Sequence, residues 1–306
     1  MEKNINNKIL IVGGTGFIGS HLVRKCSNLG WNVTSLSLKK RKNNINIKNV
    51  NYIYTDFTNL NFLKKKIKFD FDYIVNLGGY IDHSKATEKR LKILKNHFQC
   101  TLNLTLLSKK RLKRYLHIGT SDEYGYNTSP IRETSKEDPI SFYALAKLMS
   151  LNFLLKLYKN EKFPVTILRL FLVYGPNQKK DRLIPYVISN CLKNKTINLS
   201  HGRQLRDFCY VDDVIEAIIL CLRSKKSLGQ IFNVGSGNPI SIKKMVKKIV
   251  KVAGHKNTKL NFSVRKKEEN PKLYPSIRKI KNRLGWKPKI SLNEGLTKTV
   301  NFFRLD

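Results

Sequence analysis

The stretch GGTGFIGSHL, residues 13–22, follows the apolar run KILIV, residues 8–12. An apolar run that ends in glycines and opens an amphipathic segment reads as strand, turn and helix. The glycines Gly13, Gly16 and Gly19 are spaced GxxGxxG. Gly13 suits a tight turn, Gly16 lets backbone approach a pyrophosphate, and Gly19 lets the helix pack on the strand. The helix N-terminus then turns its unpaired N–H groups toward the phosphates. A ligand-free turn would use glycine too, but the strand before it and the helix after it are the context of a dinucleotide site. Thr15, Phe17 and Ile18 lie inside the same turn and join the candidate cofactor-binding residues.

Outward from this turn the pattern repeats. FIGSHLVRKCSNLG (17–30) has helical spacing and a glycine stop, and WNVTSLSL (31–38) reads as the next strand. NYIYTDFT (51–58), FDYIVNLGG (71–79), RYLHIGTS (114–121) and FPVTILRLFLVYG (163–175) read as the third to sixth strands, with a helix around 88–110. This rhythm predicts an α/β fold with a doubly wound parallel sheet of Rossmann type. Strands that are apolar without alternation fit a sheet covered on both faces. After Gly175 the rhythm changes. A loop leads into a helix (175–188), TINLSHGRQLRDFCYVDDV (196–214) reads as two short strands and a helix, and QIFNVGSG (230–237) as a strand returning to the sheet. The expected organisation is a dinucleotide-binding domain over 1–175, with contributions from about 208–238. A smaller C-terminal α/β substrate lobe takes up most of 176–306. No low-complexity linker or internal repeat interrupts the chain.

The composition fits a globular protein: 306 residues, 41% hydrophobic. No apolar run approaches the roughly 20 residues of a membrane span. The segment MEKNINNK (1–8) passes straight into the first strand, so no signal peptide is expected. The five cysteines are scattered and form no CxxC pair, which suits reduced thiols and a cytoplasmic setting. The formal charge of +38 would suit a nucleic-acid binder. Its lysines, however, are spread along the chain among Asn and Ile, and no zinc-finger spacing or aromatic RNA-binding motif accompanies them. No specific nucleic-acid partner is expected, although a basic surface helps to attract an anionic substrate.

The end of the second strand bears on the cofactor. An acidic residue there would take the ribose 2′-hydroxyl of NAD. Here SLSLKKRK (35–42) puts Ser37 at that place, followed by Lys39, Lys40 and Arg41. A serine with basic neighbours accepts a 2′-phosphate, which favours NADP over NAD. The competing explanation is that these lysines belong to the general lysine excess.

YALAK (143–147) puts Tyr143 and Lys147 one helical turn apart on one face. A free tyrosine ionises near pH ~10, and a nearby ammonium and a positive nicotinamide ring would lower that. HIGTSDEYG (117–125) supplies Thr120 and Ser121 directly after the fifth strand as hydroxyls to share a substrate proton. YxxxK alone is common on helix surfaces; its order after the glycine motif is what carries weight.

Taken together, GGTGFIG, TSDEYG, YALAK, LRLFLVYGP, RLIPYVI, RQLRDFCYVDDV, FNVGSG and LGWKP make the chain resemble the extended short-chain dehydrogenase/reductases of the nucleotide-sugar epimerase/dehydratase family. The resemblance runs from residue 10 to about 290. It implies a nicotinamide cofactor, a nucleotide-diphosphate sugar substrate and chemistry at sugar C4. By position it implies Tyr143 as acid/base, Lys147 as its partner and Thr120 as the catalytic hydroxyl, with Ser121 as fallback. It further implies Asp56, with Phe57 beside it, at the adenine, and Leu77, Gly78 and Gly79 along the cofactor. Arg206 would pair with the diphosphate, with Arg182 and Arg265 as further candidates; a salt bridge from Arg206 to Asp212 or Asp213 is the competing explanation. Homodimerisation through two long helices is expected from relatives.

There are departures. NLGG replaces the family's more usual HLAA, and Leu172 stands where many relatives have Asn. Dehydratases of the family carry an Asp-Glu pair after the threonine; here Ser121 and Asp122 follow, so Asp122 would stand in for the Glu. The expected reaction is an NADPH-linked reduction of a 4-keto-6-deoxy nucleotide sugar. The alternatives are an NAD-dependent 4-epimerase of the UDP-hexose type, then a 4,6-dehydratase using Asp122. A non-catalytic NADP-binding or nucleic-acid-associated protein is a distant fourth.

Overall fold

The computed structural model describes residues 7–40, 47–79, 87–255, 258–263 and 270–305. Arg41 and Arg265 fall outside the described residues. In chain order the first elements are β1 (Lys8–Val12), α1 (Phe17–Asn28), β2 (Asn32–Ser37), β3 (Val50–Tyr54), α2 (Leu60–Lys66) and β4 (Tyr73–Asn76). Then come α3 (Thr87–Leu94), a π-helical turn (Lys95–Gln99), α4 (Cys100–Leu107), β5 (Arg114–Thr120), a 3₁₀ turn (Ser121–Tyr124), α5 (Phe142–Glu161) and β6 (Val165–Leu170). The later elements are β7 (Leu172–Tyr174), α6 (Leu183–Leu192), β8 (Ile197–Leu199), β9 (Leu205–Arg206), β10 (Phe208–Tyr210), α7 (Val211–Arg223) and β11 (Ile231–Val234). The described chain ends with β12 (Ile240–Ser241), α8 (Ile242–Ala253), β13 (Leu260–Phe262), β14 (Lys272–Leu273), α9 (Arg278–Leu284) and α10 (Leu292–Arg304).

Seven strands form the central parallel sheet in the order β3-β2-β1-β4-β5-β6-β11. Ile9 to Val12 of β1 are fully buried, and every residue of β4, β5 and β6 is buried. That is why these strands read as continuous apolar runs: both faces are covered. Each fully buried Leu or Ile contributes about 1.5–3 kcal/mol. The strand order reverses between β1 and β4. A crevice forms outside the carboxyl ends of the strands at such a switch point. Gly13 follows β1 there, and Leu77 follows β4. The segment expected as one helix around 88–110 is helical throughout 87–107 but carries the π turn in its middle.

The chain divides into two compact units. One comprises Met1–Gly125, Lys136–Arg169 and Ile215–Phe232; the other comprises Tyr126–Ser135, Leu170–Val214 and Asn233–Asp306. In the second unit, the tail of the expected sixth strand is a separate strand. The Phe171 N–H still donates to Val234 of β11, but from Leu172 the backbone pairs with β10 as β7. Likewise TINLSHGRQLRDFCY forms three short strands rather than two. Gly202, at φ +69°, turns the chain after β8, and the buried Asp207 separates β9 from β10. The carboxylate of Asp207 caps the turn after β11, accepting from the N–H groups of Ser236 and Asn238. The unit is completed by α8, whose buried face is Ile242, Met245, Val246, Ile249 and Ala253, packed on α6 and α10.

Candidate active site

The glycine turn is built as a cradle. Gly13 has φ +81°, a conformation side chains disfavour, and its carbonyl accepts from the Gly16 N–H at 2.8 Å. A Cβ on Gly16 would lie 2.9 Å from the Gly13 carbonyl oxygen, and one on Gly19 only 2.1 Å from it. Gly16 is the N-cap of α1, and no side chain caps this helix. The orphan N–H groups of a helix start are a site for phosphate oxygens. A close-packed glycine turn leading into an uncapped helix therefore fits a dinucleotide pyrophosphate. Gly19→Ala would drive a methyl group into backbone on two sides. Overpacking of this kind costs about 1–3 kcal/mol, so NAD(H) affinity measured by calorimetry is expected to fall by about tenfold or more.

Around this turn, Ser37 is buried at the end of β2, and its Oγ accepts from the Thr15 N–H at 3.2 Å and lies 3.0 Å from Thr15 Oγ1. Ser37 thus ties strand to turn. Lys39 and Lys40 are exposed. Phe17 and Ile18 are half-buried at the helix start, and Phe17 stands edge-on to His21. Asp56 is exposed, and its Oδ1 accepts from the N–H and hydroxyl of Thr58. The Phe57 ring is in the core, so any part it takes in the crevice falls to its backbone.

The candidate cofactor strip after β4 is held by a residue that the sequence did not single out. Asn76 is buried; its Oδ1 accepts from the Gly78 N–H at 3.0 Å, and its amide donates to Tyr115 and Thr101. Leu77 abuts the glycine turn, its carbonyl oxygen 3.0 Å from where a Gly13 Cβ would stand. Gly79, at φ +105°, faces a second unforeseen residue. A Cβ there would sit 2.0 Å from His97 Cε1. The π turn presents the buried His97 ring, which also meets Tyr143 edge-on at 5.2 Å. Such π insertions recur at functional sites.

The reactive candidates stand on β5, its 3₁₀ turn and α5, which pack together. Thr120 ends β5 and caps the 3₁₀ turn, its Oγ1 accepting from the Asp122 N–H at 3.3 Å. Ser121 is buried and Asp122 half-buried. Ser141 caps α5 by accepting from the Ala144 N–H, which starts the helix that carries Tyr143 and Lys147 on its buried face. Lys147 Nζ donates to the Ile118 carbonyl at 2.9 Å. Burial pushes its ammonium down to about 8, opposed by the charge of Glu123. Burial also holds His117, on β5, well below the usual imidazole range, and the Lys147 charge adds to this. Glu123, the acid following Asp122, is turned fully inward. It accepts from the Thr120 N–H at 2.8 Å and from Arg169 Nε at 2.5 Å.

In the second unit, Arg206 lies on β9, and its Nη1 donates to the carbonyls of Leu205 and Asn270. The Asp213 carboxylate accepts from the backbone N–H groups of Lys289 and Ile290. Arg182 is the half-buried N-cap of α6. Among the described residues no cluster of His, Cys, Asp and Glu could hold a metal, and no helix is long and apolar enough to cross a membrane.

Comparison with known proteins agrees with this geometry. The model of the "NAD dependent epimerase/dehydratase family" matches residues 9–235, and the chain belongs to that family, within the extended short-chain dehydrogenase/reductases. It is an NAD(P)-dependent enzyme. It is 26% identical to human dTDP-D-glucose 4,6-dehydratase, over 97% of this chain and 90% of that one. Its fold matches the UDP-glucose 4-epimerase of Thermotoga maritima, solved with UDP-glucose, at a TM-score of 0.89 and 26% identity, covering 97% and 99% of the two chains. It also matches the UDP-glucuronic acid 4-epimerase of Bacillus cereus, solved with UDP-glucuronic acid and NAD, at a TM-score of 0.85 and 27% identity, covering 97% and 99%.

Proposed function

We propose that this protein is an NAD-dependent 4-epimerase of a nucleoside-diphosphate hexose. The observation that carries this reading is the commitment of Glu123 to Arg169 and to the Thr120 backbone. It takes Glu123 out of the chemistry, and Thr120, Tyr143 and Lys147 are the set that proton transfer at one carbinol needs. Tyr143 takes the proton of the C4 hydroxyl and returns it after the sugar has turned, and Thr120 shares the hydrogen bond. Lys147 holds the nicotinamide ribose. A nicotinamide held there would supply reversible hydride acceptance at C4. Relatives that are 4-epimerases and 4,6-dehydratases support this reading over the reductase expected from the sequence.

The reductase reading leaned on Ser37 and its basic neighbours. The Ser37 hydroxyl oxygen accepts from Thr15, so its presence has a structural cause independent of any 2′-phosphate. NAD is the cofactor in this reading. The diphosphate of the substrate falls to Arg206, with Arg182 and Arg265 as further candidates. A homodimer is supported by the exposure of Leu91, Leu106, Leu145 and Met149 on α3, α4 and α5. A cytoplasmic setting is supported by five free, buried cysteines.

A 4,6-dehydratase is the second reading, favoured by Asp122 standing two residues after Thr120. Incubation of the NAD-loaded protein with UDP- and dTDP-hexoses in deuterated water separates the two by NMR. The epimerase gives a C4-inverted sugar with no solvent deuterium on carbon. The dehydratase gives a 4-keto-6-deoxy sugar carrying solvent deuterium beside the keto group, because a carbon-bound proton must leave.

A further inference from the structure

We propose that Glu123 is a positioning residue of the active site, a single carboxylate that fixes the backbone of Thr120 and supplies the negative charge facing Lys147. The proposal rests on the reading of Lys147 as the residue that holds the nicotinamide ribose.

The geometry is closed on every side. Glu123 has no solvent exposure. Its Oε1 accepts from the Thr120 N–H, and a Cβ on Gly119 would lie 2.5 Å from that same oxygen. Only glycine at 119 lets the carboxylate press against the strand end. Its Oε2 takes Arg169, whose Nη2 also donates to Glu137 and whose guanidinium lies 4.4 Å from the centre of the Tyr124 ring. One guanidinium between two carboxylates leaves the cluster with a net negative charge. Glu137 is partly exposed and screened by water, whereas Glu123 is fully buried. Lys147 donates to the Ile118 carbonyl and Glu123 accepts from the Thr120 N–H, two residues further along the same strand, so Glu123 is the buried carboxylate at the Lys147 end of β5, and its charge opposes the effect of burial on Lys147.

The other groups around α5 do not replace it. The thiol of Cys100 on α4 is pushed up to about 12 by burial and stays neutral below that. His117 on β5 is held neutral by burial. His97 on the π turn meets Tyr143, and Arg90 on α3 lies over Phe142. Removing the Glu123 charge thus leaves burial to act on Lys147 with little to oppose it.

The test is NAD+ affinity measured by calorimetry across about pH 6 to 10, which needs no sugar substrate. An ammonium that donates to the ribose holds NAD+ below its ionisation and loses it above. Wild-type affinity is expected to fall as pH rises through about 8. In Glu123→Gln, which keeps the reach to Thr120 but not the charge, the same fall is expected about one pH unit lower. Glu137→Gln is expected to keep the wild-type midpoint, and Lys147→Met to lose the pH-dependent part. Should Glu123→Gln not fold, the double variant E123Q/R169M removes both charges of the buried pair and carries the same comparison. If the midpoint stays in place without Glu123 while Lys147→Met abolishes the fall, this proposal alone is overturned. If Lys147→Met binds NAD+ with wild-type affinity and pH profile, the reading of Lys147 fails and takes the proposal with it.

Discussion

Tyr143→Phe is expected to lose turnover by about 10²–10⁴-fold while keeping its fold and its NAD(H) affinity to within a few-fold. The size follows from the role: a positioned acid/base contributes that much, and phenylalanine has no proton to exchange. The selectivity follows from the packing. The Tyr143 ring is buried on α5 and held edge-on against His97, and phenylalanine keeps that contact. The check is a turnover assay on the hexose that reacts, beside thermal unfolding and a cofactor titration of the same preparation. Full turnover in the variant would remove Tyr143 from the mechanism.

Arg169→Ala is expected to cost stability rather than chemistry alone, by about 3–5 kcal/mol near neutral pH. The guanidinium is fully buried between Glu123 and Glu137, and alanine would leave Glu123 buried without a cation. Burial already pushes the Glu123 carboxyl up against the pull of Arg169, and without Arg169 only the Thr120 N–H and the Lys147 charge oppose it. A carboxyl raised in the folded state favours folding while it is protonated and loses that contribution as pH rises. The deficit in the variant is therefore expected to grow between about pH 5 and pH 8. Urea denaturation at the two ends of this window measures it. A deficit that is equal at both ends would mean that Glu123 does not carry the penalty.

Much of the fold was legible because its signals are local. Glycine at 16 and 19 answers to contacts within one turn, glycine at 13 to its positive φ, and the unbroken apolar run of β1 to a sheet covered on both faces. The split of the sixth strand was not legible, because LRLFLVY has the same apolar character throughout. What changes at Leu172 is the partner strand, set by β10 some 36 residues later. The same distinction runs through the site. Thr120, Tyr143 and Lys147 stand in motifs with fixed spacing. Glu123 was hidden in the run TSDEYG, where three polar residues after Thr120 look alike. Which of them turns inward is decided by the 3₁₀ turn and by Arg169, 46 residues downstream. His97 was hidden because a π turn adds one residue to a helix whose pattern otherwise continues, and the direction of its ring depends on Gly79 having no side chain. Ser37 was legible as the end of the second strand. The hydrogen bonds that tie it to Thr15 come from tertiary structure that no spacing encodes.

The most direct measurement follows the hydrogen on C4. A nucleoside-diphosphate hexose carrying deuterium at C4, turned over by the NAD-loaded protein in ordinary water, is expected to give the C4-inverted sugar with the deuterium still at C4. That result requires the hydrogen to leave and return without meeting solvent, as the proposed chemistry at C4 demands. Inversion with loss of the label to water, or no reaction at C4 with any UDP- or dTDP-hexose offered, would contradict it.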